Sequence, residues 1–477
     1  MSLSTAAPQR ARPAWLAPLV LGVIAILWRL WYSLTRPITH IDELWFSLPT
    51  VRRMLAGDWL FFISGTNYGA PLQEALAAGL ARSFGETLLT FRLPPLVFGG
   101  AAVAMLYVVL REVVKAPVAL AIALLLACAN SAVARYCAFA HSNYAVLLLL
   151  LALMQWMAFR TDRARTLGLW LALALLMGAA SYSLGLALLQ TGPLLLWLWL
   201  RSDFFQRFRD RLHDPAVRQR FLRASACAAA AALPLAAVLY RFLTRREIYT
   251  LGRLDAALLI AGLLLGLVAL WLSSPACPAP RQREWFAPLI VAASLILVPL
   301  PAKLWFQRVE APRLAARHVT LWAEARYSLR HLHEMPHQAR LLIQGVFPPI
   351  LIGRWDELEG VPTDPVRITW KSGVTAAFIA LLAAAALVSW RRGWRPGMLG
   401  KDCVFIAPFI AVVVVMFPSW SLHSETCHRY LIPFLPGLYL LTYRILQEPI
   451  GRHPRLTCAA LAALILYNGF DCYRHMI

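Results

Sequence analysis

The sequence predicts an all-α integral membrane protein, and two observations lead to this fold class: the composition of the chain and the length of its apolar segments. Of its 477 residues, 60% are hydrophobic and only 15% are charged. Soluble domains average about 45–50% apolar and about 25% charged residues. A membrane-crossing helix needs about 20 predominantly apolar residues, and such segments recur along the whole chain.

About thirteen segments of the chain meet this length criterion. The first continues to Leu34 without a small-residue cleavage site, so we expect a retained anchor and not a cleaved signal peptide. Segments 166–183 and 184–200 are almost continuous and are expected to form a tight helical hairpin around Leu184. The predicted transmembrane segments are 14–34, 93–110, 116–133, 143–159, 166–183, 184–200, 223–240, 254–272, 286–302, 372–390, 402–418, 430–446 and 456–470.

The distribution of positive charge indicates how the chain crosses the membrane. The net charge of +22 comes almost entirely from arginine, and short cytoplasmic loops carry an excess of Lys and Arg. A cytoplasmic N-terminus places the basic loops 160–165, 201–222 and 391–401 inside, although one basic loop, 241–253, then lies outside. We expect this charge to set topology and to contact membrane lipids. No polar basic domain is present to bind nucleic acid, so we exclude that function.

The external side of this topology holds most of the eleven histidines and most of the 24 acidic residues. The first long external loop, 35–92, contains two amphipathic patterns, Leu44–Ala56 and Pro71–Phe84. In the second pattern Leu72, Leu76 and Leu80 form the apolar stripe. Helices of this kind are expected to lie in the plane of the membrane interface.

A second long external loop, 303–371, separates the later predicted spans. Its apolar segment 341–355 is too short and too interrupted by proline to cross the membrane, so we expect an interfacial or re-entrant segment. We divide the chain into two transmembrane modules, residues 1–240 and 241–477, each of which contains one of the two external loops.

Two adjacent carboxylates, Asp42 and Glu43, directly follow the first predicted span. A carboxylate can remove the proton of a hydroxyl group as a general base. The same pair can instead cap the helix predicted at Leu44–Ala56, since acidic residues favour helix N-termini; the two roles can coexist. Glu74, in the second amphipathic helix, either orients an acceptor, binds a metal ion or faces solvent.

Around these acids the sequence resembles the GT-C glycosyltransferases, in particular the protein O-mannosyltransferases and the lipid A aminoarabinose transferases (glycosyltransferase families 39 and 83). The similar motifs keep their order and spacing through the first external loop. A second, shorter similarity is to the family's late Arg-Tyr-Leu-x-Pro-x-x-Pro helix. The motifs are Asp42-Glu43, Gly57-Asp58-Trp59, Asn67-Tyr68-Gly69-Ala70-Pro71-Leu72, Phe84-Gly85, Phe91-Arg92-Leu93-Pro94 and His428-Arg429-Tyr430-Leu431-Ile432-Pro433-Phe434-Leu435-Pro436.

The resemblance implies a GT-C fold and transfer of a sugar from a polyprenyl-phosphate carrier to a lipid or envelope-glycan acceptor. It also implies a location in the bacterial cytoplasmic (inner) membrane, with the active site on the periplasmic side. The acceptor hydroxyl must lose its proton in this reaction, so Asp42 is the expected general base of an inverting displacement, with Glu43 beside it. We expect the protein to be a monomer.

The leaving phosphate of such a donor needs positive charge or a metal ion to stabilise it. Arg429 offers planar bidentate geometry to a phosphate, and His428 could assist it. Alternatively, Arg429 only extends to the lipid headgroups. Tyr68 and Tyr430 belong to the similar motifs and are expected, together with Glu74, to contact the substrate.

A divalent metal ion is the one cofactor that the sequence suggests. His40 could hold such an ion together with Asp42 or Glu43. Three histidines between 331 and 337 are a second candidate, but Pro336 interrupts the helix that their spacing requires. The eight cysteines are scattered singly and lack the spacing of a zinc site.

The sequence departs from the aminoarabinose transferases at Gly69-Ala70-Pro71, where those enzymes have Glu-Lys-Pro, so a phosphate contact must come from elsewhere in the chain. It also lacks the soluble domains of the relatives, so protein O-mannosylation is not expected. Three other classes stay open. The first is a transporter or flippase, which would carry charged residues or broken helices near the membrane midplane. The second is a glycan ligase or polymerase with a pyrophosphate-linked donor, which the 303–371 loop would suit. The third is a membrane scaffold without enzymatic activity.

Overall fold

A computed structural model describes the protein over residues 15–34, 43–64, 69–138, 143–201, 286–305, 400–416 and 427–474, with a few isolated positions elsewhere. Within these ranges the chain is helical and forms no β-strand. The α-helices are α1 (Leu16–Leu34), α2 (Leu48–Leu55), α3 (Leu72–Phe84), α4 (Leu88–Leu110), α5 (Ala116–Ala127), α6 (Ser131–Ala138), α7 (Tyr144–Ala164), α8 (Leu167–Ser183), α9 (Leu188–Leu200), α10 (Phe286–Leu297), α11 (Leu300–Trp305), α12 (Cys403–Met416), α13 (Leu435–Ile445), α14 (Gln447–Arg452) and α15 (Pro454–Arg474).

Several of these helices are suited to a membrane. Four helices in the described ranges, α1, α4, α7 and α15, are long and apolar enough to cross a bilayer, and the bent pair α5–α6 would make a fifth span. Shorter apolar helices, α8 among them, accompany these four. The all-helical class with apolar helices is therefore confirmed. The count of thirteen stays a prediction, because the segments 223–240, 254–272 and 372–390 lie almost entirely outside the described residues.

The predicted hairpin of 166–183 and 184–200 corresponds to α8 and α9. Leu184 between them is extended, and a short 3-10 turn, Gly185–Ala187, leads into α9. At the opposite ends of the two helices, the Arg165 guanidinium donates a hydrogen bond of 2.7 Å to the carbonyl of Arg201. Since Arg165 precedes α8 and Arg201 follows α9, the two helices run in opposite directions.

The predicted span 116–133 is not straight. It is divided into α5 and α6, whose axes differ by 77°. Asn130 begins α6 by accepting a hydrogen bond of 3.1 Å from the backbone N–H of Val133. A break within an apolar segment exposes backbone groups that must find partners inside the protein.

Side chains from two distant helices supply those partners. From α1, Trp28 donates to the carbonyl of Ala129 at 3.0 Å, and Arg29 donates to the carbonyl of Leu126 at 2.7 Å. From α15, Asn468 donates to the carbonyl of Cys128 at 2.8 Å, while Asp471 accepts from the N–H of Ser131 at 2.9 Å. The groups freed by the break are thus bonded to α1 and α15.

Helices α1 and α4 cross at glycines. A Cβ atom on Gly100 would lie 2.5 Å from the Ile26 side chain and 2.8 Å from the carbonyl oxygen of Gly22. Small residues of this kind allow two membrane helices to approach closely. This crossing joins the first half of α1 to the middle of α4, and nearer the loop Arg92 of α4 donates to the carbonyl of Ser33 in the last turn of α1.

The two amphipathic helices predicted in the first loop are present as α2 and α3, and α2 packs on α3 through an apolar cluster centred on Val51 and Ala77. The orientation of α3 is not the one in which the apolar stripe of an amphipathic helix faces the protein interior. Leu72 and Leu76 face outward, whereas the buried side carries Gln73 and Glu74 with three alanines. The leucine stripe is consequently free to meet the membrane interface, and the polar residues point into the protein.

Candidate active site in the first loop

A buried ion pair joins the first loop to the membrane helices. The carboxylate of Glu43 is 0% exposed and accepts two hydrogen bonds from Arg92, at 3.1 Å from Nε and 2.8 Å from Nη2. The remaining guanidinium nitrogen of Arg92 donates to the carbonyl of Ser33 near the end of α1. Arg92, itself 1% exposed, lies in the second turn of α4. This fork-shaped contact fixes Glu43 against the start of α4, and the bond to Ser33 ties the same arginine to the end of α1.

The residues that follow Glu43 form a single π-helical turn, Glu43–Ser47, which leads into α2. Sequence reasoning offered Glu43 either as a catalytic carboxylate or as a helix cap. Both of its oxygens bind Arg92, and Ser47 is the residue at the N-cap position of α2, without a capping hydrogen bond from its side chain. The contact that the structure gives Glu43 is therefore an ion pair with α4.

Glu74 is a second buried carboxyl group in the same loop. It lies on the inner side of α3, 1% exposed, and its Oε1 accepts a hydrogen bond of 2.8 Å from the Ser47 hydroxyl. Its Oε2 is buried and has no hydrogen-bond partner within the described ranges. Burial raises the pKa of this carboxyl group to about 7, and the hydrogen bond from Ser47 opposes the shift in part. The solvent-facing alternative for Glu74 is wrong.

A buried amide pair lies next to Glu74 in sequence. The Gln73 side chain donates to Oδ1 of Asn143 at 3.1 Å, and Nδ2 of Asn143 donates to the carbonyl of Ala70 at 2.6 Å. Asn143 has a left-handed backbone conformation, with φ 63°, which Asn adopts more readily than most residues. Oε1 of Gln73, like Oε2 of Glu74, is buried and accepts no hydrogen bond from the part of the chain that the structure describes. The first turn of α3 thus holds two acceptor oxygens that could bind a hydroxyl group.

The titration of Glu74 gives a prediction for stability. Because the folded-state pKa lies above 4.5, the folded protein binds this proton more tightly, so the contribution of Glu74 to stability falls as the pH rises from about 4.5 to about 7. The full loss is on the order of 3 kcal/mol. Glu74→Gln mimics the protonated form and should remove this dependence. The measurement is the apparent melting temperature in detergent as a function of pH.

The matched control is Glu86→Gln, which removes a carboxylate from the end of the same loop where the side chain is 59% exposed. This variant should retain the wild-type dependence on pH. If the melting temperatures of the wild type and of Glu74→Gln change with pH in the same way over the whole pH range, the raised pKa of Glu74 is contradicted.

The other predicted site residues are only partly described. His40, Asp42 and Tyr68 lie outside the described residues, as do the three histidines between 331 and 337. The backbone of His428, Arg429 and Tyr430 forms part of a 3-10 helix, Cys427–Phe434, but their side chains lie outside the description. Whether the phosphate-binding residues meet the first loop therefore stays a prediction, as does the proposed metal ion. In the described ranges no group of three His, Cys, Asp or Glu side chains could hold a metal.

Three residues of this site were not singled out from the sequence: Ser47, Gln73 and Asn143. Arg92 was named only within the motif Phe91-Arg92-Leu93-Pro94 and was given no role there. Arg92 gave a signal, since a charged residue at the edge of an apolar segment requires a partner. The others gave none, because Ser, Gln and Asn occur commonly in loops and on helix surfaces. Their role depends on which face of α3 is buried.

Comparison with known proteins gives little further information. Neither a protein-family model nor a curated protein sequence matches the chain. Among solved structures, it is similar to the Archaeoglobus fulgidus oligosaccharyltransferase AglB in complex with an inhibitory peptide and a dolichol-phosphate, with 15% identity and a TM-score of 0.46. It is also similar to the apo oligosaccharyltransferase of that organism, with 13% identity and a TM-score of 0.41.

Both similarities cover 96% of this chain but only 55% of the archaeal protein, so the chain spans about half the length of these structures. At these levels of identity and structural overlap, the two structures assign neither a family nor an activity to the chain.

Proposed function

We propose that this protein is a membrane glycosyltransferase of the GT-C type that transfers a sugar from a polyprenyl-phosphate donor to a lipid or glycan acceptor. The observation that carries the proposal is the buried Glu43–Arg92 ion pair. It holds Glu43 against α4, and Asp42 directly precedes Glu43 in the sequence. A catalytic carboxylate requires such a fixed backbone, because its distance to the reacting hydroxyl decides the rate.

The chemistry assigned to Asp42 is that of a general base. The acceptor oxygen attacks the anomeric carbon, its proton passes to the Asp42 carboxylate, and the bond between that carbon and the phosphate oxygen breaks. The electron pair of this bond leaves with the lipid phosphate, and the anomeric configuration inverts. Arg429, with His428 beside it, is proposed to stabilise the charge on the phosphate.

The remaining acidic residues have different proposed roles. Glu43 is a positioning residue, because both of its oxygens bind Arg92. Glu74 and Gln73 are proposed to orient the acceptor, each through one buried oxygen that no described residue hydrogen-bonds. A divalent ion held by His40 and Asp42 belongs to the same proposal. Glu43 fits poorly as a ligand, since a metal ion would have to displace Arg92.

The alternative function that the structure tests most directly is that of a transporter. The break between α5 and α6, with the buried Arg29 beside it, is a discontinuous helix of the kind found in transporters. In those proteins, however, the carbonyls of the break coordinate the transported ion. Here Trp28, Arg29 and Asn468 each donate a hydrogen bond to a carbonyl at the break, so these carbonyls have partners within the protein. This arrangement favours a structural role for the break.

The direct test is turnover of a defined donor by the purified full-length protein in lipid nanodiscs. A radiolabelled polyprenyl-phosphate sugar should release its sugar to an envelope-lipid acceptor, with inversion at the anomeric carbon. A pyrophosphate-linked donor and a soluble nucleotide sugar serve as comparison substrates. The same reaction with a chelator present tests the proposed divalent ion.

Each result distinguishes between the candidate functions. Preference for the pyrophosphate-linked donor would support a ligase or polymerase instead. Uptake of the labelled lipid or sugar into proteoliposomes without chemical transfer would support a transporter. Retention of the anomeric configuration would contradict Asp42 as a general base in a single displacement, since a double displacement uses the carboxylate as a nucleophile.

A further inference from the structure

A groove opens at the end of the helix bundle opposite to the candidate active site. It has a volume of about 540 Å³ and lies between the turn that joins α4 to α5 and the end of α13. Three of its lining residues are cationic, Arg111, Lys115 and Arg444. Since α4 is long enough to cross a membrane and α5 begins the next apolar segment, this turn belongs at a membrane surface. The positive-inside pattern assigns it to the cytoplasmic side.

The negative groups around this groove already have partners. The carboxylate of Glu112 forms ion pairs with Arg163 and with Lys401, the latter at 3.5 Å. Asp402 binds Arg444 at 2.8 Å.

Backbone carbonyls at the end of α4 are bonded as well. Lys401 donates to the carbonyl of Glu112 at 3.4 Å, and Arg444 donates to that of Val113 at 3.2 Å. Cations from the later part of the chain therefore occupy the acceptors that could otherwise neutralise this groove.

Two cations of the groove have no partner among the residues that the structure describes. The exposed side chains of Arg111 and Lys115 form no ion pair or hydrogen bond with any residue that the structure describes. Lys115 is also the N-cap residue of α5, and its side chain makes no capping hydrogen bond. The positive end of the helix dipole adds to the field of the two side chains. The groove is thus built to bind an anion.

Apolar surface continues from the groove along α5. Leu120 lies one helical turn beyond Ala116, which lines the groove, and its side chain is exposed. The cationic groove suits a phosphate group and the apolar surface of α5 suits a hydrocarbon chain, and these are the two parts of a phospholipid. We propose that this groove binds the phosphate headgroup of an anionic phospholipid of the cytoplasmic leaflet, with Arg111 and Lys115 as its phosphate ligands. Basic pockets between membrane helices bind such headgroups in general.

The test is native mass spectrometry of the full-length protein in detergent with phosphatidylglycerol or phosphatidylcholine added. The wild type should retain phosphatidylglycerol in preference to phosphatidylcholine. The double variant Arg111→Gln/Lys115→Gln should bind it on the order of 30-fold more weakly, since each basic residue near a lipid surface contributes a factor of about five. The double variant Arg160→Gln/Arg455→Gln removes two exposed charges that do not line the groove and should bind like the wild type.

Three results would overturn the proposal. They are equal retention of the two lipids by the wild type, the same loss in both double variants, and complete displacement of the lipid by millimolar inorganic phosphate. The third would identify the ligand as a free phosphate. If the groove variant does not fold, as judged by circular dichroism, the lipid preference of the wild type and the phosphate competition still decide the question. None of these measurements depends on the proposed glycosyltransferase activity.

Discussion

Asp42→Asn is expected to reduce the rate of sugar transfer by about 100- to 10,000-fold, the usual contribution of a general base. Asparagine has nearly the same size but cannot accept the proton of the acceptor hydroxyl. Binding of the donor should change little, because the proton moves only during the reaction. The measurement is the initial rate of transfer from the labelled donor in nanodiscs, with donor affinity measured separately.

The control for Asp42→Asn is Glu86→Gln, which neutralises an exposed carboxylate in the same loop without approaching the buried ion pair. Its transfer rate should equal that of the wild type. Undiminished turnover by Asp42→Asn in protein with a normal melting temperature would remove Asp42 from the mechanism. The glycosyltransferase proposal itself would survive that result if the wild type transfers sugar.

Arg92→Leu is expected to destabilise the protein by about 3–5 kcal/mol, because it leaves the carboxylate of Glu43 buried and without its cation. Glu43→Leu should have an effect of similar size, since it isolates the guanidinium instead. The double variant should recover much of this loss, because well-packed apolar residues often replace a buried ion pair at little cost. Chemical unfolding in mixed micelles measures all three.

The exposed pair Arg52–Glu86, at 3.9 Å, provides the comparison. Removing either partner there should change stability little, because water screens the two charges. The double variant at Glu43 and Arg92 also separates stability from function. If the ion pair positions Asp42, sugar transfer should stay low even though the fold has recovered. Full activity in this variant would show that the pair does not position the loop.

The sequence predicted those parts of the fold that depend on composition. Helices α1, α4 and α7 lie close to the predicted spans, because a long apolar segment in a membrane has no alternative to a helix. The break between α5 and α6 could not be predicted in this way. The segment from Ala127 to Ser131 has neither glycine nor proline, and the groups that stabilise the break come from α1 and α15.

The candidate site was predictable to a similar extent. The acidic residues of the first loop were recognised because they directly follow a predicted span and carboxylates can act as general bases. The contact between Glu43 and Arg92 joins residues 49 positions apart and depends on how α1 crosses α4. The orientation of α3 was not predictable either, since its apolar stripe faces outward and its polar residues are buried.

The bonds at the break between α5 and α6 bear on how the protein is made. Ser131 and Cys128 emerge from the ribosome long before Asp471 and Asn468, which lie 340 positions further along the chain. Until α15 is synthesised and inserted, an N–H and a carbonyl inside the apolar part of the nascent protein lack their final partners. A ribosome that stalls before residue 468 would therefore produce an incomplete membrane domain, a natural substrate for membrane quality control.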